Sequence, residues 1–476
     1  VDDVSWQEFM PKDLRKDLFL KILKYYDEDV LIGAGLRIRK IAKAADELLP
    51  TLRAKRIVEI ISKFKNPDKE TVLTPWRVVN MHLGEAIGGY NFYDESYIKE
   101  IDEPRLIEQG DVTAEILLNT DVKILEMNSK SGLYPLYMAY SLYMIKVSGK
   151  EADLSFEDAQ KLWFETLENN IFILCKTKMA RQITIRTLAG YSGKTVNAIY
   201  LTKLLERMQD KERFKNKLTN PNTWNKGGER MKFDAVVGNP PYQLANSGDG
   251  NGADPIYHIF IDAGQQISDI GTFIHPARFL FNAGKTPKDW NQKMLNDEHF
   301  KVVKYWANST DVFTTVDIKG GVAVTMWNKN QLFDKIGTFT VFAELRSIMG
   351  KVINDNFSSF AELVYPRDLY HLNETLYEEN PWAENRPSKG HKYDVGTNVF
   401  DVFPELFAEE KPVDDEEYAL IVGRTRTERT QRWVKKKYLK TPDNFDYYKV
   451  FIPKANGSGA IGEVLSTPVV GQPVVG

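Results

Sequence analysis

The tetrapeptide Asn239-Pro240-Pro241-Tyr242 contains the residue types that point most directly to chemistry. The Asn239 side-chain oxygen can accept one hydrogen bond, and the Pro240 carbonyl, on a backbone that proline rings restrict, can accept a second. Such a pair of acceptors can hold both hydrogens of an aromatic amine and draw its nitrogen toward a pyramidal geometry, which frees the lone pair for attack. Because Tyr242 can stack on the ring that carries the amine, the tetrapeptide predicts a site that orients a planar amine.

A second aromatic side chain is expected to cover the other face of the bound ring. Phe313, just before a predicted strand, is the candidate, and the alternative for Phe313 is a place in the hydrophobic core. If the ring that carries the amine is a nucleic-acid base, a pocket of this kind cannot reach it inside a duplex, and the base must be flipped out. The alternative for the tetrapeptide itself is an ordinary turn or a polyproline-like surface loop.

The tetrapeptide must be positioned by the elements around it, and it directly follows the apolar run FDAVVG. In this part of the chain, short runs rich in β-branched and aromatic residues alternate with stretches of helical periodicity. Continuous apolar strands separated by helices are typical of a mostly parallel sheet with both faces covered, which binds ligands beyond the carboxyl ends of its strands. We therefore predict a Rossmann-like α/β core with strands at residues 122–127, 171–175, 233–238, 271–276, 301–307 and 320–327.

The chain is expected to contain more than one domain, because its 476 residues exceed the roughly 100 to 200 residues of an ordinary domain. Residues 1–70 have helical periodicity, residues 71–330 form the α/β core, and residues 331–476 have the looser pattern of an α+β domain. The chain begins with valine and ends in a Gly/Pro/Val stretch. We therefore expect a piece of a longer protein, with an incomplete last domain.

Composition excludes several classes of protein. Lys and Arg number 63 and Asp and Glu 66, so the net charge of −3 predicts a nucleic-acid site only where basic residues concentrate locally. No apolar run approaches the roughly 20 residues of a membrane span, and the start of the chain lacks the pattern of a signal peptide, so we expect a cytoplasmic protein. Cys175 is the single cysteine and the six histidines lack ligand spacing, so we expect no metal site.

Residues 70–330 resemble the N6-adenine DNA methyltransferases of restriction-modification systems, especially the type IIG and single-polypeptide type I enzymes. The quartet Asn-Pro-Pro-Tyr is the most specific element of this resemblance. Upstream, VLTPWRVVNMHL looks like the family motif that touches the methionine end of the cofactor S-adenosylmethionine. The resemblance therefore implies cofactor contacts from Thr74 and Pro75.

The segment ILEMNSKSGLYPLYMA (124–139) occupies the place of the family's glycine-rich cofactor loop. An acid at the end of the strand and small residues after it let the backbone approach the ligand in such a loop. The resemblance implies that the cofactor contacts come from Glu126, Met127, Asn128 and Gly132.

The sequence departs from the family pattern at two positions of the expected cofactor site. Lys130 stands where the family usually has glycine, and it could fill the cofactor space. Cys175 stands where an acid is expected for the cofactor ribose. These departures bear on cofactor binding more than on the adenine pocket.

The order of the motifs matches the gamma arrangement of the family, in which the C-terminal region recognises the DNA sequence. That region contains a basic cluster, and a loop further on adds Lys454. Phosphate binding needs a local positive field, and arginine can also donate to base edges. The alternative is a solvated surface. The DNA-binding candidates are Arg424, Arg426, Arg429, Arg432, Lys435, Lys436 and Lys454.

The resemblance implies a site-specific DNA methyltransferase that flips an adenine out of double-stranded DNA and methylates N6. Methylation of RNA adenine or of a protein glutamine is an alternative, as is a DNA-binding specificity module whose core no longer binds the cofactor well. We find no convincing nuclease metal-site pattern and no GxxxxGK[ST] phosphate loop. Nuclease or helicase activity would belong to other parts of a longer chain.

Overall fold

The computed structural model describes residues 1–11, 14–64, 73–148, 150–244, 254–314, 318–353, 358–365, 369–426, 428–451, 469–471 and 474–475. The chain divides into two compact units, Val1–Ser347 and Ile348–Gly476. The sequence-based boundaries lay after residues 70 and 330. In the structure, the N-terminal helices belong to the same unit as the core, and that unit extends to Ser347.

The described strands lie in both units. They are β1 Gly88–Tyr93, β2 Glu100–Glu108, β3 Ile124–Ser129, β4 Ile171–Cys175, β5 Asn197–Tyr200, β6 Phe233–Gly238, β7 Ser268–Pro276, β8 Phe300–Trp306, β9 Val322–Asn328, β10 Tyr418–Thr425, β11 Glu428–Lys435, β12 Lys449–Phe451, β13 Val469–Gly471 and β14 Val474–Val475.

The α-helices of the described residues range from a single turn to eighteen residues. They are α1 Asp3–Phe9, α2 Lys16–Ile22, α3 Glu28–Ala45, α4 Pro50–Ser62, α5 Trp76–Ala86, α6 Asp111–Thr113, α7 Leu133–Lys146, α8 Phe156–Asn170, α9 Lys178–Ala189, α10 Leu204–Gln209, α11 Lys211–Thr219, α12 Tyr257–Ile267, α13 Lys288–Asn296, α14 Ala343–Val352, α15 Glu374–Glu379 and α16 Val399–Val402. None of the helices searched in these parts of the chain is long and apolar enough to cross a membrane.

The first unit is built on a seven-stranded sheet with the order β5-β4-β3-β6-β7-β9-β8. The five strands β5, β4, β3, β6 and β7 run parallel to one another. β9 runs antiparallel to β7 on one side and to β8 on the other. The prediction of a mostly parallel α/β sheet is confirmed. Since β3 and β6 are central neighbours, their carboxyl ends lie side by side at the edge where such sheets bind ligands.

Helices cover both faces of this sheet. In β4, Ile171, Ile173 and Cys175 belong to one hydrophobic core, and Phe172 and Leu174 belong to a second. This alternation follows from the two-residue period of a strand, and it explains why the run is apolar throughout. The first core also includes residues of α4, α5, α7 and α8, and the second includes residues of α10 to α13.

The second unit contains a smaller sheet of order β11-β10-β14. The β10 and β11 strands form an antiparallel hairpin, in which Tyr418 pairs with Lys435 at one end and Thr425 with Glu428 at the other. One core packs the hairpin against short helices, with Phe400, Ile421 and Val434 among its buried residues. The α+β character predicted for the C-terminal region is present in this unit.

Candidate active site

The tetrapeptide follows β6 at the carboxyl edge of the central sheet. Gly238, the last residue of β6, approaches β3 so closely that a Cβ atom there would lie 2.6 Å from the Met127 carbonyl oxygen. Glycine is therefore required at this position, since real Cβ atoms do not come that near. This contact brings Asn239 beside the end of β3, where the residues of the predicted cofactor loop begin.

The Asn239 side chain is oriented by Thr74. Its Nδ2 donates a hydrogen bond of 2.9 Å to Thr74 Oγ1, and its Oδ1 is buried without a hydrogen-bond partner among the described residues. Thr74 directly precedes Pro75, the residue before α5. The Pro75 carbonyl oxygen accepts hydrogen bonds from the Val78 and Val79 amides, which holds this part of the main chain at the start of the helix. The arrangement leaves Asn239 with one acceptor atom for a ligand.

Tyr242 lies next to Asn239 with its hydroxyl buried. That hydroxyl has no hydrogen-bond partner in the part of the chain that the structure describes. Burial raises the pKa of Tyr242 well above its usual value, and the Asn239 side chain opposes this shift. The main chain is held by the Ile256 amide, which donates to the Tyr242 carbonyl oxygen at 3.1 Å.

Phe313 packs against Tyr242. Their ring centroids are 6.2 Å apart and the ring planes make an angle of 70°, so the two rings meet edge to face. Phe313 is only 3% exposed and belongs to the hydrophobic core. Its loop is tied to α5 by Arg77, whose Nη2 donates to the carbonyl oxygens of Asp311 at 2.6 Å and Val312 at 3.2 Å.

Glu126 is buried in β3 with one oxygen unpaired. The residue is 4% exposed, and its Oε2 has no hydrogen-bond partner within the described ranges. Burial raises the pKa of Glu126 to about 8, and a hydrogen bond with Ser129 opposes the shift. A ligand that donates a hydrogen bond or carries positive charge would stabilise the ionised form of this buried acid.

The end of β3 and the turn that follows it have the backbone geometry of a close approach to a ligand. Asn128 has a φ of 73°, its Nδ2 lies 3.4 Å from the Asn239 carbonyl oxygen, and its buried Oδ1 has no partner among the residues described. Gly132 has a φ of 79° and packs so tightly that a Cβ atom would lie 3.1 Å from Thr184 Cα. The Met127 side chain is fully buried.

The cysteine at the end of β4 is part of the core. Cys175 is fully buried, and its Sγ lies 4.0 Å from Thr184 Oγ1 on α9. Burial raises the pKa of the Cys175 thiol, so it is a neutral apolar group. It pairs in register with Ser129 of β3, which sets the ends of β3 and β4 side by side.

A carboxylate that the sequence analysis did not identify lies close to this edge. Glu8 of α1 is 7% exposed, and Thr177, the residue before α9, donates a hydrogen bond to Glu8 Oε2. Its other oxygen, Oε1, has no partner in the described chain. No sequence signal links a residue of the first helix to the end of β4, because the contact is tertiary.

The described part of the basic cluster divides into two groups, on the β10–β11 hairpin and directly after it. Arg424, Arg426 and Arg429 are exposed at the hairpin tip, where Arg424 and Arg429 pair across the strands. The other members are paired with acids: Arg432 with Glu409, Lys435 with Glu416, and Lys436 with Asp446 and Glu417. Lys454 lies outside the described residues.

The structure thus brings Thr74, Glu126, Asn128, Asn239 and Tyr242 to the carboxyl edge of one sheet, with Phe313 packed against Tyr242. Several polar atoms there are buried without partners, which is uncommon in folded proteins unless a ligand or water satisfies them. No group of three or more His, Cys, Asp or Glu residues in the described chain could hold a metal ion.

Comparisons with known proteins agree with this geometry. Residues 169–313 match the family model for the Eco57I restriction-modification methylase. A protein from Mycoplasma pneumoniae described as an uncharacterized adenine-specific methylase is 33% identical over 103 residues, which are 21% of this chain and 24% of that protein. The chain therefore matches about a quarter of the length of this relative.

Two solved structures have limited similarity. The ATP-dependent type ISP restriction-modification enzyme LlaBIII bound to DNA is 13% identical, with 82% of this chain and 32% of that chain covered and a TM-score of 0.39. The type I restriction-modification methyltransferase subunit from Streptococcus thermophilus is also 13% identical, with 61% and 51% covered and a TM-score of 0.32.

The family match begins just before β4 and ends at Phe313, so it includes β6 and the complete tetrapeptide. It confirms the resemblance to restriction-modification methylases that the sequence predicted. A methylase requires a methyl donor, and the unpaired acceptors at the ends of β3 and β6 lie where such a ligand binds in parallel sheets. Over residues 169–313, this chain is therefore similar to the Eco57I restriction-modification methylases.

Proposed function

We propose that this chain is a site-specific DNA methyltransferase that transfers a methyl group from S-adenosylmethionine to N6 of adenine, acting in the cytoplasm as part of a restriction-modification system. The observation that carries the proposal is the state of Asn239. Its amide nitrogen is used by Thr74, and its buried oxygen is left to accept a hydrogen bond. An amine is the kind of ligand that such an acceptor holds.

Asn239 and Pro240 act on the adenine amine. The Asn239 Oδ1 accepts one amine hydrogen and the Pro240 carbonyl accepts the other, which increases electron density on the nitrogen as it becomes pyramidal. Because the Thr74 bond fixes the Asn239 amide before the base arrives, no reorganisation is needed as the reaction proceeds. Catalysis rests on positioning and electrostatics, with no covalent intermediate on the chain.

Tyr242 and Phe313 hold the flipped base. Tyr242 supplies the face on which the base stacks, and such a stack contributes roughly 1 to 3 kcal/mol. Phe313 is buried in the hydrophobic core and meets Tyr242 edge to face, so it supports the stacking ring from the side of α5 and does not cover the other face of the base. Pro241 stiffens the turn that holds the stacking ring in place.

The residues at the end of β3 fit the methyl donor. S-adenosylmethionine, when bound, supplies an electrophilic methyl group on a positively charged sulfur. Glu126 and Asn128 offer buried unpaired oxygens to its polar groups, and the positive φ of Gly132 lets the main chain turn closely around it. Thr74 and Pro75 contact its methionine end, and the backbone at Met127 and Cys175 lines the edges of the site.

The tip of the β10–β11 hairpin is proposed to contact double-stranded DNA. Arg424, Arg426 and Arg429 are exposed and make no ion pair within the described residues. Exposed arginines can neutralise phosphates or donate to guanine edges. Arg432, Lys435 and Lys436 are further proposed contacts, and so, from the sequence alone, is Lys454. Nuclease or helicase domains of a longer chain are the proposed partners.

Substitution of Asn239 tests this proposal. Asn239→Ala removes the acceptor needed as the amine changes geometry, so the rate of methyl transfer in a single turnover should fall by about a hundredfold or more. Binding of DNA should stay close to that of the parent. The matched control is Asn296→Ala, which removes an exposed asparagine at the end of α13 and should leave the rate unchanged. A rate for Asn239→Ala within a few fold of the parent would exclude the proposed role.

A further inference from the structure

Glu8 is a buried acid that the proposed reaction does not yet use. It lies on α1, which packs on α9: the Met179 amide donates to Ser5 Oγ at 3.3 Å, and Thr177 donates to Glu8 Oε2. Glu8 Oε1 is buried without a hydrogen-bond partner in the part of the chain that is described. A buried oxygen without a partner is costly, so a ligand that donates to it would stabilise this arrangement.

Glu8 is located at the ligand-binding edge of the central sheet. Thr177 follows Cys175, the last residue of β4, by two positions, and Cys175 pairs in register with Ser129 at the end of β3. The positive charge of Lys130, directly after β3, acts on Glu8. The Glu8 carboxylate therefore lies near the ends of two adjacent parallel strands, although it comes from a different part of the chain.

The end of β4 itself offers no acid. The residue there is Cys175, which is completely buried in the core and has a raised pKa because of that burial. A nucleoside ligand in a crevice of this type presents two neighbouring ribose hydroxyls, and a carboxylate is the side chain that accepts from them. Glu8 is an acid from outside the sheet that the described contacts bring near this position, in addition to Glu126 on the neighbouring strand β3.

We propose that Glu8 of α1 accepts hydrogen bonds from the ribose hydroxyls of S-adenosylmethionine, so that the N-terminal helix forms one wall of the cofactor site. This inference rests on the function proposed above. Oε2 is oriented by Thr177, and Oε1 is the acceptor for the ribose. The acid that the end of β4 lacks is thereby supplied by a segment about 170 residues earlier in the chain.

Lys130 has a place in this arrangement. Burial raises the pKa of Glu8, and the positive charges of Lys130 and Lys176 oppose that shift. Lys130 thus favours the ionised carboxylate, which is the form that accepts from both hydroxyls. Lys130, which stands where the family loop has glycine, thus helps to keep Glu8 ionised. Glu8 in turn takes the place of the acid that is missing at the end of β4.

The test uses the complete chain and two ligands in titration calorimetry. S-adenosylhomocysteine has both ribose hydroxyls, and its 2′,3′-dideoxy analogue has neither. Glu8→Gln keeps the shape of the side chain but removes the charge, so affinity for S-adenosylhomocysteine should fall about tenfold. Affinity for the dideoxy analogue should change less than twofold. The matched control is Asp3→Asn, which removes an exposed charge from the same helix and should leave both affinities unchanged.

Each other outcome overturns the inference. Equal losses for the two ligands would show that Glu8 supports the fold and does not contact the ribose. Parental affinity for both would show that Glu8 lies outside the site, and tighter binding by Glu8→Gln would show that α1 obstructs it. A parent chain that binds neither ligand would contradict the proposed methyltransferase function itself, and the inference would fall with it.

Discussion

At the scale of single residues, the site depends on contacts between segments distant in sequence. The Thr74 hydroxyl that orients Asn239 lies 165 positions earlier in the chain. Sequence reasoning identified both residues but assigned them to different motifs, because a hydrogen bond between them requires the fold. Glu8 shows the same limit more strongly, since nothing around it in the sequence marks it as part of a site.

Substitution of Thr74 tests its role in positioning Asn239. Thr74→Val keeps the branched shape and removes the acceptor of the 2.9 Å bond. Because a neutral hydrogen bond contributes about 0.5 to 1.5 kcal/mol, single-turnover methyl transfer should slow roughly threefold to tenfold. Thr74→Ser, which retains the hydroxyl, is the control and should keep most of the rate. If valine supports the parental rate, Asn239 is oriented by something else.

The buried acid Glu126 predicts a dependence of stability on pH. Its pKa is about 8 in the folded chain, against an ordinary value of 4.5, so the folded state keeps a proton that the unfolded state releases. The stabilising effect is complete below pH 4.5 and is lost as the pH rises through about 8. One such group changes the free energy of unfolding by up to about 1.4 kcal/mol per pH unit.

Glu126→Gln removes this proton uptake and keeps the shape of the side chain. Without added cofactor, the Tm of the parent should therefore fall relative to the Tm of Glu126→Gln between about pH 5 and pH 8. Thermal unfolding measured at several pH values checks the prediction. A constant Tm difference across this range would mean that Glu126 is already ionised in the folded chain.

At the scale of elements, the sequence predicted the strands whose residues are apolar throughout. The runs containing β3, β4, β6, β7, β8 and β9 were all identified. β4 and β6 have the predicted bounds, and the other four strands differ from prediction by one to three residues at one or both ends. β5 was missed because its four residues begin with Asn197, a buried polar residue whose Nδ2 donates to the Glu168 carbonyl at 2.7 Å. The β1–β2 hairpin was missed because β2, EIDEPRLIE, is largely polar and exposed.

The β10–β11 hairpin predicts a difference between its two groups of cations. Replacing Arg424, Arg426 and Arg429 together with Gln should reduce the slope of log DNA affinity against log salt by up to about 0.9 per lost phosphate contact. The comparison variant replaces Lys435, Lys436 and the next residue, Lys437, with Gln. Those lysines pair with local acids, so their loss should reduce the slope less.

Fluorescence anisotropy of labelled duplex DNA at several salt concentrations gives both slopes. Cofactor affinity of each variant should remain that of the parent. If the arginine variant keeps the parental slope and sequence preference, the hairpin tip is a solvated surface.

At the scale of the whole molecule, sequence reasoning identified the class of fold and the resemblance to restriction-modification methylases, because both depend on patterns local to the chain. The parallel order of the sheet follows from alternating strands and helices, and the tetrapeptide is four consecutive residues. The division of the chain was harder to predict. The first unit continues to Ser347, beyond the last strand of the sheet, because Ile336 and Phe339 pack on the second core.

The main proposal is that the chain methylates N6 of adenine in DNA. The most direct measurement incubates the parent chain with duplex DNA of many sequences and radiolabelled S-adenosylmethionine, followed by digestion to nucleosides and mapping of the label. We expect the label to appear in N6-methyldeoxyadenosine within one recurring sequence, and Asn239→Ala to remove it. Label in cytosine, or DNA binding by the parent chain without any methyl transfer, would contradict this proposal.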